Sequence, residues 1–345
     1  MIQIIRRLFV VFLFIAIGSQ NALGSESEAA GKNENQVDIL SHVQNHYAWD
    51  FAPFGEVEFP RILLYEGRLY AYSSTEAAVE SDVFKLDGHD LVPAHGGHIT
   101  LDLSISMHLV FFWLSAIITM LVFIPMARRY RRGIGRETEP KGAFQNIFEV
   151  FFVFVRDDVA KQNIGEEKYR KFVPYLMTAF FIIAFMNLLS LLPWGTASTA
   201  DVTVTGALAI ITFVITQING SKDHWRHVFW FPGVPVWVRF IMMPIEFVGL
   251  FTKPFALAIR LFANMLSGKI LIFSIIGLIF VFANMFGPAI AYGSSIIWVA
   301  FAVFIYIIKA FVALLQAYIF VMLSALFIGM ATEEHEHEPE LEAAH

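Results

Sequence analysis

Between Lys269 and Lys309 the chain carries no charged residue, a run too long for one crossing of a bilayer. The run holds its own turn signals, Asn284-Met285-Phe286-Gly287-Pro288 through Gly293-Ser294-Ser295. It reads as two long, tilted helices folded back into a hairpin. With 57% apolar residues, 36 phenylalanines and a mean hydropathy of +0.61, the 345-residue chain is expected to be a polytopic membrane protein. The net charge of −6 matters less than its sorting: bases cluster in ARRYRRGIGR (127–136), acids after residue 25 and in the tail EEHEHEPELE. The absence of cysteine excludes disulfides, thiolate metal sites and thiol nucleophiles. The basic cluster is short and adjoins a membrane span, so no nucleic-acid partner is expected.

Arg260 stands inside FALAIRLFANMLSGKILIFSIIGLIFVF, with apolar turns on both sides and no short route to water. A guanidinium keeps its proton at any physiological pH, so it is a fixed and costly charge in hydrocarbon. Such a residue reads as functional, facing a protein interior or watery cavity where a transient anion appears. The alternative is a snorkelling arginine at a helix end.

Residues 1–24 read as a signal peptide. Arg6 and Arg7 precede the apolar LFVVFLFIAIG, and Ala22-Leu23-Gly24 offers small residues for cleavage; an uncleaved anchor is the alternative. Residues 25–102 then form a small extracytoplasmic region in which FPRILLYEGRLYAYSS predicts a hairpin about Glu66-Gly67. His42, His46, His89, His95 and His98 read better as surface histidines than as a metal site. Residues 103–331 form the membrane domain and 332–345 an acidic tail, read as a solvated run rather than a weak metal site.

Leu103 to Met126 is a first span ending at Arg128-Arg129-Tyr130-Arg131-Arg132, which places that end in the cytoplasm by the positive-inside rule. Residues 142–165 carry Phe144, Phe148, Phe151, Phe152 and Val155 at helical spacing, an amphipathic helix on the cytoplasmic surface. Phe172 to Trp194 and Val202 to Ile218 are further spans. With the hairpin, the expected fold is all-α, with about five membrane-embedded helices.

In an antiparallel hairpin turning near residue 289, level partners have numbers totalling about 578. Arg260 and Gln316 fall nearly level, so the glutamine carbonyl is expected to accept from the guanidinium without neutralising it. Asn264 lies one turn beyond Arg260 on the same face. Glu246 lies four turns before it, roughly 21 Å away.

RLFANMLSGK (260–269) followed by LLQAYIFVML (314–323) resembles subunit a of F-type rotary ATP synthases. So do FVPYLMTAFFIIAFMNLLSLLP (172–193), ADVTVTGALAI (200–210) and PIEFVGLFTKPFALAIRLF (244–262), in order over residues 105–331. The resemblance implies an ion-translocating stator subunit of the Fo sector in a bacterial inner (plasma) membrane, N-terminus outside and C-terminus cytoplasmic. Its implied partners are a c-subunit ring, the b subunits of the peripheral stalk, the F1 sector through the complex, lipid and a transported proton, with sodium not excluded. It implies no catalysis by the chain alone, no cofactor and no metal. Residue by residue, Arg260 matches the arginine facing the ring carboxylate, Gln316 its partner and Asn264 its neighbour. Glu246 matches the acid of the cytoplasmic half-channel; Asn187 and Asp201 match polar positions of the outer one.

Two positions depart from the family pattern. Lys269 stands where His or Glu is usual, and Lys309 where Glu or His is usual; the two fall level across the hairpin. Either a lysine relays or gates protons in the outer half-channel, with Asp201 as a candidate counter-charge, or both snorkel to an outer vestibule; nine residues from Arg260 and half a turn off in azimuth, Lys269 is also left the alternative of facing away. A secondary transporter would show internal repeats, and none is present. A mere anchor gains nothing from Arg260, Glu246 and Gln316 at depth. Residues 25–102 are left two roles, docking to a neighbouring subunit or capping the vestibule.

Overall fold

The computed structural model describes residues 47–50, 55–87, 90–133, 142–192, 195–196, 198–229 and 236–333. The expected signal peptide, residues 334–345 of the acidic tail, His42, His46, His89, Pro193 and Trp194 lie outside them. Every strand precedes the first long helix. β1 (Ala48–Asp50) pairs with β2 (Glu56–Glu58); β3 (Arg61–Tyr65) pairs with β4 (Arg68–Tyr72) and β7 (Leu101–Asp102); β5 (Phe84–Asp87) pairs with β6 (Asp90–Pro93); all are antiparallel. The β3–β4 turn falls on Glu66 (φ 49°) and Gly67 (φ 74°), the pair of left-handed residues that a two-residue hairpin matching strand twist demands. A short helix α1 (Thr75–Glu80) completes a core of Leu63, Tyr65, Ala78, Phe84 and Leu91.

The remainder is helical. α2 (Met107–Arg131) starts later than Leu103 because Leu101 and Asp102 are held in β7; Ser106 caps it, its hydroxyl accepting from the Leu109 amide. α3 (Ala143–Val153) runs on through a π-helical stretch (Phe154–Lys161) into a last turn (Gln162–Ile164). α4 (Tyr169–Leu189), α5 (Val202–Ile218), α6 (Lys222–Phe229), α7 (Val236–Phe286) and α8 (Pro288–Thr332) follow. α2, α4, α7 and α8 are long and apolar enough to cross a membrane; α5 with α6, bent by 104°, makes a fifth if the pair is one span.

α4 sits at the centre because it is apolar on every side: Leu176, Ile183 and Met186 are fully buried. The apolar edge of α3 packs on it through Phe148 against Phe181 and Phe151 against Phe180, both at 5.9 Å. α8 turns small residues to the bundle, Ala313, Ala317, Ser324, Ala325 and Gly329, which lets helices without a hydrophobic drive between them approach closely.

The hairpin turn differs from the expectation. It is one residue, Gly287 at φ 84°, with Pro288 opening α8. Gly293-Ser294-Ser295 lies within α8 because the Ser294 and Ser295 hydroxyls donate back to the Ala291 and Tyr292 carbonyls and leave the helix unbroken.

Candidate functional site

Arg260 is exposed on α7 at the flank of the buried stripe formed by Leu257, Leu261 and Met265. Its own face is exposed and flanked by the small residues Ala256, Ala263 and Ser267. Along the chain it lies between Phe251, packed against Phe213 of α5 with the rings tilted, and Met265, packed with Ala200 and Ala313. No described residue pairs with its guanidinium.

Gln316 is not its partner, contrary to the expected register. The Asn264 amide donates to Gln316 Oε1 at 2.6 Å, and Gln316 is almost wholly buried. The same offset brings Phe282 against Trp298 at 5.4 Å. Both pairs total about two more than the estimate, about half a turn of helix. The estimate sets Gln316 level with residue 262, midway between Arg260 and Asn264; the slip settles it on Asn264, and no described residue accepts from the guanidinium.

Toward Gly287 lies a polar cluster. Asn187, fully buried, donates to the Ala313 carbonyl at 3.1 Å and accepts from the Thr199 hydroxyl at 2.7 Å. Ser198 is buried beside it with an unpartnered Oγ. Asp201 caps α5 by accepting from the Thr203 amide at 2.7 Å. It forms no ion pair with either lysine, so the structure does not support the expected counter-charge: its carboxylate is engaged at the helix start. Lys309, one turn from Ala313, lies across Gly268, where a Cβ would come within 2.6 Å of Lys309 Cε. Lys269 is the next residue, so the hairpin brings the two lysines together as expected.

At the opposite end α5, α6, α7 and α8 enclose a cleft of about 250 Å³. Glu246 lines it with Gln217, His224, His227, Lys253 and Glu333. The cleft is held open by a clamp: the Ser221 amide donates to the Ala331 carbonyl at 2.8 Å and its hydroxyl to the Glu333 carbonyl at 2.9 Å. Burial and the nearby Lys253 ammonium push the His224 imidazole below its ordinary range, against the pull of Glu246.

His224, His227, Gln217, Ser198 and Thr199 were not singled out from sequence; the groups that share their sites, Glu246 and Glu333 for the first three and Asn187 for Thr199, stand on other elements. Lys253 had a signal. Glu246, Lys253, Arg260 and Ser267 recur at seven residues, a stripe that winds only about 20° per repeat around α7.

The family model described as "ATP synthase A chain" matches residues 109–329. Among curated proteins, the chain is similar to ATP synthase subunit a of Chloroherpeton thalassium, 39% identical over 88% of this chain and 79% of that one. Subunit a of Chlorobium phaeobacteroides is 38% identical over 95% and 85%. That of Myxococcus xanthus is 44% identical over 71% and 80%.

Proposed function

The chain belongs to the ATP synthase A chain family, the ion-translocating stator subunit of the Fo sector, and from that premise we propose how its residues divide the work. The exposed face of α7 meets the c-subunit ring. Arg260 waits there for a ring carboxylate, and the small residues beside it allow the close helix approach that such an encounter needs. An ionised carboxylate is held by the guanidinium. It cannot enter lipid, where the charge costs about 2.5–3.5 kcal/mol at mid-bilayer. Once protonated it is released to rotate. Arg260 repels any proton that would pass directly between the two sides.

Two half-channels meet this point from opposite ends. Asn187, Asp201, Lys269 and Lys309 line the outer one; Glu246 and its cleft form the inner one. The basic end of α2 supports that orientation, for Tyr130 lies by Glu149 of α3. The end of α3 in turn packs on Gly329 of α8, so the bases and the Glu246 cleft share one end of the molecule. The reading places the subunit in a bacterial inner membrane, N-terminus outside, with the b subunits and F1 as further partners. Residues 1–24 act as the export signal, 25–102 as the external region and 332–345 as the cytoplasmic tail.

The observation that carries the reading is the unpaired guanidinium on an exposed helix face beside a satisfied Asn264–Gln316 pair. In the complete complex, Arg260→Ala is expected to assemble, to leak protons passively and to lose ATP-driven pumping. Retention of coupled pumping by that variant would overturn it.

A further inference from the structure

We propose that His224 is a proton relay at the inner mouth, passing protons between Glu246 and the cytoplasmic water; this rests on the half-channel reading above. Three observations carry it. First, His224 and Glu246 stand on different helices, α6 and α7, yet line the same 250 Å³ cleft, whose remaining charged groups are Asp223, His227, Lys253 and Glu333. Secondly, the imidazole is fixed. Its helix start is tied down by the Ser221 hydroxyl, which accepts from the His224 amide at 3.0 Å, and its Nε2 lies 3.3 Å from Gln217 Oε1. Thirdly, Gly220 makes the room: a Cβ there would lie 3.0 Å from His224 Cδ2 and 3.3 Å from Trp225 Nε1.

The Gln217 carbonyl accepts only, so Nε2 carries the proton and Nδ1 is the free acceptor of the neutral ring. In the synthesis direction Nδ1 takes the Glu246 proton: the carboxyl O–H bond breaks, the N–H bond forms, and carboxylate and imidazolium face each other. The imidazolium then gives its Nδ1 proton to bulk water, which restores the neutral imidazole, and the Glu246 carboxylate regains its proton from the c-ring side to begin the next cycle. A histidine suits this step because a neutral imidazole accepts a proton at one ring nitrogen while it donates at the other. The relay is specific to protons; a sodium ion gains nothing from it.

The test uses the whole ATP synthase in liposomes at low buffer strength, comparing wild type, His224→Phe and His224→Gln; the glutamine keeps a donor for Gln217 but cannot titrate. Both variants are expected to synthesise ATP about tenfold more slowly, within the range that a positioned proton carrier supplies. Free imidazole is expected to restore them. Wild-type rates in both variants, or losses that imidazole does not repair, would overturn the relay. An Arg260→Ala control separates the two readings. If that control remains coupled, the half-channel reading falls. If it is uncoupled while the His224 variants behave as wild type, only the relay falls.

Discussion

Asn264 and Gln316 are joined by a 2.6 Å hydrogen bond across the hairpin, one helical turn beyond Arg260. The glutamine therefore stiffens the two helices against each other and does not hold the guanidinium. Interhelical hydrogen bonds of this kind are worth about 1 kcal/mol in membranes. In a double-mutant cycle on ATP-driven pumping, Asn264→Leu and Gln316→Leu are expected to be non-additive by about fivefold. The cycle of Arg260→Lys with Gln316→Leu should be additive, and a coupling as large as the first would restore the guanidinium to Gln316.

Gly268 is the floor on which Lys309 lies, and the obstacle to a larger residue is the flexible end of that lysine. Gly268→Ala is therefore expected to move the ammonium without harming assembly. The effect of Gly268→Ala on pumping should vanish in a Lys309→Met background. Equal effects in the two backgrounds would mean that the glycine serves the helix backbone.

Gly329 presents the opposite case. A Cβ there would collide with the backbone carbonyl of Asn163, which has no flexible end to swing aside. Overpacking against rigid backbone costs about 1–3 kcal/mol and sometimes more. Gly329→Val is expected to lower the amount of subunit recovered in the complex at least severalfold, measured by quantitative blotting of purified membranes. Normal recovery would show that α3 can slide away from α8.

The features legible in sequence were those with a local cause. Glu66-Gly67 announced its turn because only a few residue types accept left-handed backbone, and Arg260 announced a site because its charge contradicts every neighbour. The pairing of Lys269 with Lys309 followed from hairpin symmetry alone. What was lost needed finer resolution than symmetry gives. A register shift of half a turn, set by Phe282 meeting Trp298, decides which residue takes Gln316. The inner cleft is assembled from Gln217, His224, Glu246 and Glu333, so no window of sequence contains its outline. The seven strands described before residue 103 go beyond the single hairpin expected there, since the strands outside that hairpin, of two to four residues around a small core, leave little periodicity to read.

Lys309 allows the two remaining accounts of the outer half to be told apart. It and Lys269 share one apolar stretch of the hairpin, with Asp201 engaged in capping α5 rather than neutralising them. Two like charges so placed repel, and removing one should not weaken the fold. Lys309→Met is thus expected to leave assembly and thermal stability unchanged or slightly improved. A relay demands more: pumping by Lys309→Met should fall about tenfold and return with Lys309→His, which restores a group able to carry a proton. The measurement is ATP-driven acidification of liposomes holding the complete complex, with Lys269→Met beside it. Full pumping by Lys309→Met would dispose of the relay and leave the lysines as residues of an outer vestibule. If only Lys309 matters, the proton path runs along α8, where the Ala313 carbonyl already accepts from Asn187.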